Sequence, residues 1–275
     1  MKKIGILFHP KVPATGTKAR EIEDFLKKKG VSVWVCSAWD KDTACEQVKG
    51  TDLVISVGGD GTILRAVQAL VPGSVPLLSI NLGKLGFMTE LSADEALQKL
   101  PEILKGKGWV DERAMLRAEL VTRGKRAQVF YALNDIVVAR GEIARIIRVE
   151  ASIDGQALTT YRADGVIVAT ATGSTGYALA ARGPVLYPQS RDLLLLPVAP
   201  HLSLAYPLVL PPASTVTLRL ETYLTATLSV DGHINLPLGD GDTVTIKQSP
   251  DVARFLRIRP RESFYSSLEE KLKGK

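Results

Sequence analysis

The chain has 275 residues, with 35 Lys and Arg against 29 Asp and Glu for a net charge of +6, and it is 45% hydrophobic and 23% charged. At roughly 150 residues per domain this length suggests about two domains, with cores large enough to fold without disulfides or structural metals, which excludes a disordered chain and a disulfide scaffold. The two cysteines, Cys36 and Cys45, and the three histidines, His9, His201 and His233, are too few and too scattered for a zinc site, so no protein metal site is predicted.

Met1-Lys2-Lys3 resembles the start of a signal peptide, but the apolar stretch from Ile4 to Phe8 is shorter than the roughly 7–15 residues of an h-region and reads as a first strand. The most apolar later run, Leu193 to Ala199, is interrupted by Pro197 and falls short of the roughly 18 residues a membrane span needs. A soluble, cytoplasmic protein with no membrane partner is expected. A pI near 9.2 suits anionic ligands. The basic residues are dispersed, however, and Lys27-Lys28-Lys29 sits at a predicted helix end where cations favour the dipole, so nucleic acid is not an expected partner.

Up to about residue 108, strands and helices alternate as in a parallel, Rossmann-like α/β domain. Strands are predicted at Ile4 to Phe8, Val31 to Val35, Leu53 to Val57 and Pro76 to Ile80, and helices at Thr17 to Lys29 and Thr62 to Leu70. A further helix opens on Ser92-Ala93-Asp94-Glu95, a capping box, and ends near Gly106. Beyond Trp109, period-two alternation predicts a β-rich, β-sandwich-like domain, with strands at Met115 to Val121, Ile146 to Ile153, Gly165 to Thr170, Thr215 to Leu220 and Leu224 to Val230. Asp154-Gly155, Asp231-Gly232 and Asp240-Gly241 supply turns. One helix, Ser174 to about Ala181, interrupts the strands, and Ser263 to Lys275 reads as a polar tail helix. The domains are therefore expected at 1–110 and 111–249.

Three features carry chemistry. Gly58-Gly59-Asp60-Gly61-Thr62 lies between a buried strand and a helix start, where glycines allow close approach and free helix N–H groups suit a phosphate. It is neither a Walker loop nor a G-x-G-x-x-G fingerprint. With Arg65 one turn on, Gly58, Gly59, Gly61 and Thr62 form the expected phosphate loop. Asp60 would repel a phosphate unless it performs chemistry, holds a cation, or merely caps the helix beginning at Gly61 or Thr62. Next, Asp164-Gly165 leads through a strand into Thr170-Ala171-Thr172-Gly173-Ser174-Thr175-Gly176-Tyr177, a nest of hydroxyls and glycines. Ser174 lacks the G-x-S-x-G context of a nucleophile elbow because residue 172 is Thr. Last, Asn134-Asp135 interrupts the apolar run Val129 to Ala139, so one side chain should find a ligand, a bulge or a buried partner, unless the pair is a turn.

Together with Asn81-Leu82-Gly83-Lys84-Leu85-Gly86-Phe87-Met88-Thr89 and Gly183-Pro184, these motifs stand in the order seen in NAD kinases, and the chain resembles that family over nearly its whole length. The resemblance implies transfer of the γ-phosphoryl group of ATP, or of polyphosphate, to the 2′-hydroxyl of the adenosine ribose of NAD, at a site between the two domains. It implies magnesium carried with ATP and a homo-oligomer, dimer or tetramer. Asp60 matches the general base and Gly61 the backbone against the ligand. Asn134 and Asp135 match the pair holding the ribose and nicotinamide side. By the same transfer Phe87 contacts the adenine, Arg145 and Arg162 line the pocket, and Asp164 binds or orients NAD, in some cases from a neighbouring subunit. Thr172 and Thr175 to Ala180 (Thr175, Gly176, Tyr177, Ala178, Leu179, Ala180) complete the site, with Tyr177 on a base and His233 as a polar contact. The chain departs from the family at Ala171, commonly Pro, at Gly176, commonly Ala, and at Arg182-Gly183-Pro184, commonly Gly-Gly-Pro. The final segment, about 250–275, would pack back on the first domain. The competing readings are a lipid kinase of the diacylglycerol type, which shares the Gly-Gly-Asp-Gly loop but lacks the other motifs together, and a silent NAD(H)-binding sensor, which would gain nothing from Asp60.

Overall fold

Apolar strands buried on both faces and amphipathic helices build the first half of the chain. The computed structural model describes residues 1–83, 86–141, 145–201, 206–221, 225–261 and 263–273. It divides into two units, Met1–Glu112 with Ala253–Lys275, and Arg113–Val252.

In the first unit β1 (Lys3–Phe8), α1 (Pro13–Lys28), β2 (Ser32–Ser37), α2 (Lys41–Gln47), β3 (Leu53–Val57), α3 (Asp60–Leu70), β4 (Leu77–Asn81), β5 (Leu91–Ser92) and α4 (Ala93–Leu104) follow one another. The strands are parallel in the order β4-β3-β1-β2, with β5 beside β4. All five residues of β3 are buried, as its unbroken apolar run requires. Ala19, Ile22 and Leu26 of α1 and Ala96, Leu100 and Ile103 of α4 join Ile6, Ile55 and Ile80 of the sheet in one core. The Ser92–Glu95 capping box forms as predicted.

Two helix starts differ from expectation in the first unit, and one short helix is additional. Helix α1 starts at Pro13 rather than Thr17, because proline at the first helical position has its φ preset and lacks only an N–H that would be unpaired anyway. Helix α3 starts at Asp60 rather than Thr62, with Gly59 as its N-cap. Helix α2 was not predicted; it is seven residues long and is held by Asp40, whose side chain accepts from the Thr43 N–H at 3.2 Å.

The chain continues through β6 (Trp109–Val121), β7 (Gln128–Ala132), β8 (Asp135–Arg140), β9 (Ile147–Ile153), β10 (Gln156–Ala163), β11 (Gly165–Ala169), α5 (Tyr177–Ala180), β12 (Leu193–Val198), β13 (Leu208–Leu210), β14 (Thr215–Leu220), β15 (Ala226–Val230), β16 (Ile234–Leu238), β17 (Thr243–Arg257) and α6 (Ser263–Lys273). The second unit holds an antiparallel sheet, β13-β12-β11-β8-β15-β16, and a second antiparallel run of strands, β10-β9-β14-β17, in which β6 pairs with β17 and β7. Their inner faces meet through a core that includes Leu116, Val138, Val149, Tyr161, Leu218, Leu228 and Ile246. Asp154 and Gly155 join β9 to β10 with φ of +51° and +77°, the left-handed dihedrals of a mirror-image turn, which glycine adopts freely and aspartate tolerates. The residues of β17 from Ala253 onward belong to the first unit, where Phe255 pairs with Leu77.

The predicted helix from Ser174 is instead a 3-10 turn, Gly173–Thr175, followed by the single turn of α5. Gly176, at φ −97° and ψ −126°, breaks the helical path between them. The run Val129 to Ala139 is likewise two strands, because the chain leaves β7 at Leu133 and enters the other sheet at Asp135. Leu224, Lys84 and Leu85 of the sequence reading lie outside the described residues. Among those described, no helix is long and apolar enough to cross a membrane.

Candidate functional site

The Gly58–Thr62 segment emerges at the carboxyl end of β3, the edge where open parallel sheets hold ligands. The Gly58 N–H donates to the Ile80 carbonyl at 2.9 Å, so the loop is anchored to β4 as it leaves the sheet. Gly58 has φ +154° and lies against Thr62, whose side chain any Cβ there would strike. Of the first-turn amides of α3, those of Thr62 and Ile63 donate back to the Gly59 carbonyl at 2.9 and 3.3 Å, which leaves the amides of Asp60 and the exposed Gly61 as the helix N-terminal donors suited to an anion. Thr62 is buried, and its hydroxyl has no hydrogen-bond partner among the described residues. Arg65 stacks on the Trp39 ring at 4.3 Å, and His9 meets the same ring at 4.4 Å.

Asp60 does not cap its helix. Its carboxylate turns to the Gly86–Met88 segment, where Oδ2 accepts from the Phe87 N–H at 3.1 Å and Oδ1 from the Met88 N–H at 3.3 Å. Gly86 permits this approach, since a Cβ at residue 86 would fall within 2.7 Å of the Asp60 Cγ. Burial pushes the Asp60 carboxyl above its ordinary value, against the two amides and the positive charges of Lys271 and Arg257, which pull it down. The result is a half-buried carboxylate with raised basicity, aimed and held by backbone. That is what removing a proton from an alcohol requires. Of the predicted residues, Phe87 joins Asp60 directly through its amide.

In the second unit Asn134 and Asp135 sit where the chain crosses from β7 to β8. Asp231, read from sequence only as part of a turn, holds them: Oδ2 accepts from the Leu133 N–H at 2.9 Å, and Oδ1 from the N–H groups of Asn134 at 2.7 Å and Asp135 at 3.2 Å. Asp231 and Asp135 are each 6% exposed. Burial first, and the Asp231 charge second, push the Asp135 carboxyl up to about 7. The Thr170 N–H donates to the Asn134 carbonyl at 2.9 Å, and the Thr170 hydroxyl donates to the Leu133 carbonyl at 2.6 Å. Gly173 packs so closely on the Asn134 backbone that no Cβ fits. Asn134, Asp135, Gly173 and Gly176 thus converge, and Asn134 Oδ1 is buried without a hydrogen-bond partner among the described residues. Buried Arg113, which the sequence reading missed, donates to the Thr172 hydroxyl at 3.4 Å. His233 turns back on its own loop, with Nδ1 3.1 Å from the Asp231 carbonyl.

The remaining predicted residues are more dispersed. Thr175 is half-buried, and its hydroxyl donates to the Thr172 carbonyl at 3.2 Å. Tyr177 is 45% exposed, Ala180 is exposed and Leu179 half-buried, whereas Ala178 packs with Val137, Ile167 and Leu194 in an apolar cluster. Arg145 precedes β9 and Arg162 lies on β10, both exposed. Asp164 pairs with Arg140 at 3.2 Å. Ser174 is fully buried; its hydroxyl donates to the Ala171 carbonyl at 2.6 Å and accepts from the Leu186 N–H at 3.0 Å, a bracing role inaccessible to substrate.

Residues 5–108 match the family described as ATP-NAD kinase N-terminal domain, and residues 133–258 match ATP-NAD kinase C-terminal domain. The NAD kinase of Dehalococcoides mccartyi strain CBDB1 is 48% identical over 274 residues, 99% of this chain and 96% of that protein. Among solved structures, yeast NADH kinase complexed with NADH superposes with a TM-score of 0.88 at 26% identity, over 99% of this chain and 88% of that one. An NAD kinase from Archaeoglobus fulgidus in complex with ATP gives 0.78 at 29% identity, over 97% and 98%.

Proposed function

Because the chain belongs to the NAD kinase family and is an enzyme of it, we propose that it transfers the γ-phosphoryl group of ATP, or the terminal group of polyphosphate, to the 2′-hydroxyl of the adenosine ribose of NAD, making NADP. The observation that carries this reading is the Asp60 carboxylate, held by the Phe87 and Met88 amides and raised in basicity by burial. In the reaction the ribose O2′ forms its bond to Pγ as the bond from Pγ to the bridging oxygen breaks. Asp60 takes the O2′ proton, and ADP departs with the electron pair. The donor would arrive as its magnesium complex, the metal neutralising charge on the phosphates, while the Gly61 amide at the start of α3 donates to a phosphate oxygen.

Asn134 and Asp135 hold the ribose and nicotinamide side of NAD, with Asp231 fixing both. Phe87 and Tyr177 offer faces to the bases. Thr172, Thr175, Gly176 and His233 complete the acceptor site, with Ala178, Leu179 and Ala180 behind them. Arg145 and Arg162 are its outer cations. Asp164 serves NAD in a homo-oligomer, dimer or tetramer, and the enzyme works in the cytoplasm.

The test is NADP formation from NAD and Mg-ATP beside Asp60→Asn, repeated with NADH and with polyphosphate. A loss of more than about 100-fold in the variant, with NAD binding retained, supports the assignment. No product from any donor and acceptor pair, despite NAD binding, would overturn it in favour of a binding sensor.

A further inference from the structure

The segment that grips Asp60 is itself held by a buried ionic group. The Met88 carbonyl accepts from the Ser79 hydroxyl at 3.0 Å and from Arg257 Nη1 at 2.9 Å. Arg257, near the end of β17 and 6% exposed, is fixed by three further contacts: Nε to Asp111 Oδ2 at 3.1 Å, Nη1 to Glu90 Oε2 at 3.2 Å, and its guanidinium over the Phe255 ring at 4.9 Å. Glu90 is in turn occupied at its other oxygen by the N–H groups of Ile258 and Arg259, each at 2.7 Å. A guanidinium is costly to bury, and here its fork spans a carbonyl and two carboxylates at once, which a lysine cannot reproduce. All four groups lie in the first unit.

We propose that Arg257 is a positioning residue for the reaction: with Ser79 it pins the Met88 carbonyl, and so holds the Phe87 and Met88 N–H groups that aim the Asp60 carboxylate at its proton. The inference rests on Asp60 being the base. The groups bearing on the Asp60 charge are the two amides, Arg257 and Lys271 of α6, all of which favour the ionised form, while Glu90 and Asp111 face Arg257. Arg257 therefore acts twice, by holding geometry and by keeping Asp60 ionised to lower pH.

Three variants separate these effects: Ser79→Ala removes one neutral hold, Arg257→Lys keeps the charge and loses the fork, and Arg257→Met loses both. Each is assayed for NADP formation from NAD and Mg-ATP across pH 5.5 to 9, with far-ultraviolet circular dichroism to confirm folding and Asp60→Asn as reference. The expected result is kcat lowered in all three, by up to about 100-fold for Arg257→Met, with KM for NAD within about 2-fold. Only Arg257→Met should move the acid limb of kcat/KM to higher pH, because a base with a raised pKa loses its proton later. If Arg257→Met does not fold, Arg257→Lys and Ser79→Ala decide. Wild-type kcat in folded Arg257→Lys and Ser79→Ala, with Asp60→Asn inactive, would overturn this inference alone. Full activity in Asp60→Asn would overturn the base assignment and the inference with it.

Discussion

Asp135→Asn should stabilise the protein in a strongly pH-dependent way. In the folded chain Asp135 is buried beside Asp231, and its carboxyl keeps its proton up to about 7 instead of 3.8. The unfolded chain releases that proton near pH 4. As pH rises from about 4, proton release therefore favours the unfolded state, and the contribution levels off only above the folded value near 7. At about 1.4 kcal/mol per pH unit, this amounts to about 4 kcal/mol of stability lost across the interval. Asn keeps the shape of the protonated acid, cannot ionise, and offers an N–H to the Asp231 carboxylate. Urea unfolding followed by circular dichroism should find the variant about as stable as wild type at pH 4.5, and more stable by about 2–4 kcal/mol at pH 8. Equal effects at both pH values, or destabilisation at pH 8, would refute the reasoning and show that Asp135 is ionised in its buried position.

Two further substitutions test the remaining geometry. Gly86→Ala places a methyl on the Asp60 carboxylate; kcat for NADP formation should fall by at least about 100-fold, with an unchanged circular dichroism spectrum, because the base must move to make room. Ser174→Ala leaves the Leu186 N–H without its acceptor in the interior. It should cost about 1–3 kcal/mol in urea unfolding while phosphoryl transfer at low temperature stays near the wild-type rate, whereas a collapse of turnover in folded protein would argue for a chemical role for the hydroxyl.

Local pattern made much of this protein legible. The alternation of apolar runs with amphipathic stretches marks the α/β half, period-two alternation with Asp-Gly turns marks the β-rich half, and Ser92 and Glu95 form the capping box that their spacing signals. The Gly-Gly-Asp-Gly loop is readable because a strand, a glycine turn and a helix start are contiguous. Pro13 could have been read as a helix start, and Asp40 as a cap; both signals are local. Other features depend on residues far apart in the chain. Asp231 looks like a turn aspartate until the fold brings the Leu133–Asp135 amides, about a hundred residues earlier, onto its oxygens. Asp60 looks equally able to cap its helix, and only the approach of Gly86, allowed by the missing side chain, turns it toward Phe87 and Met88. Arg257, Glu90 and Asp111 carry no motif at all, and their meeting depends on where the end of β17 pairs with β4. Periodicity and turn chemistry act within a few residues and so survive in the sequence. The aim and the charge state of a buried carboxylate are set by partners that only the tertiary structure assembles.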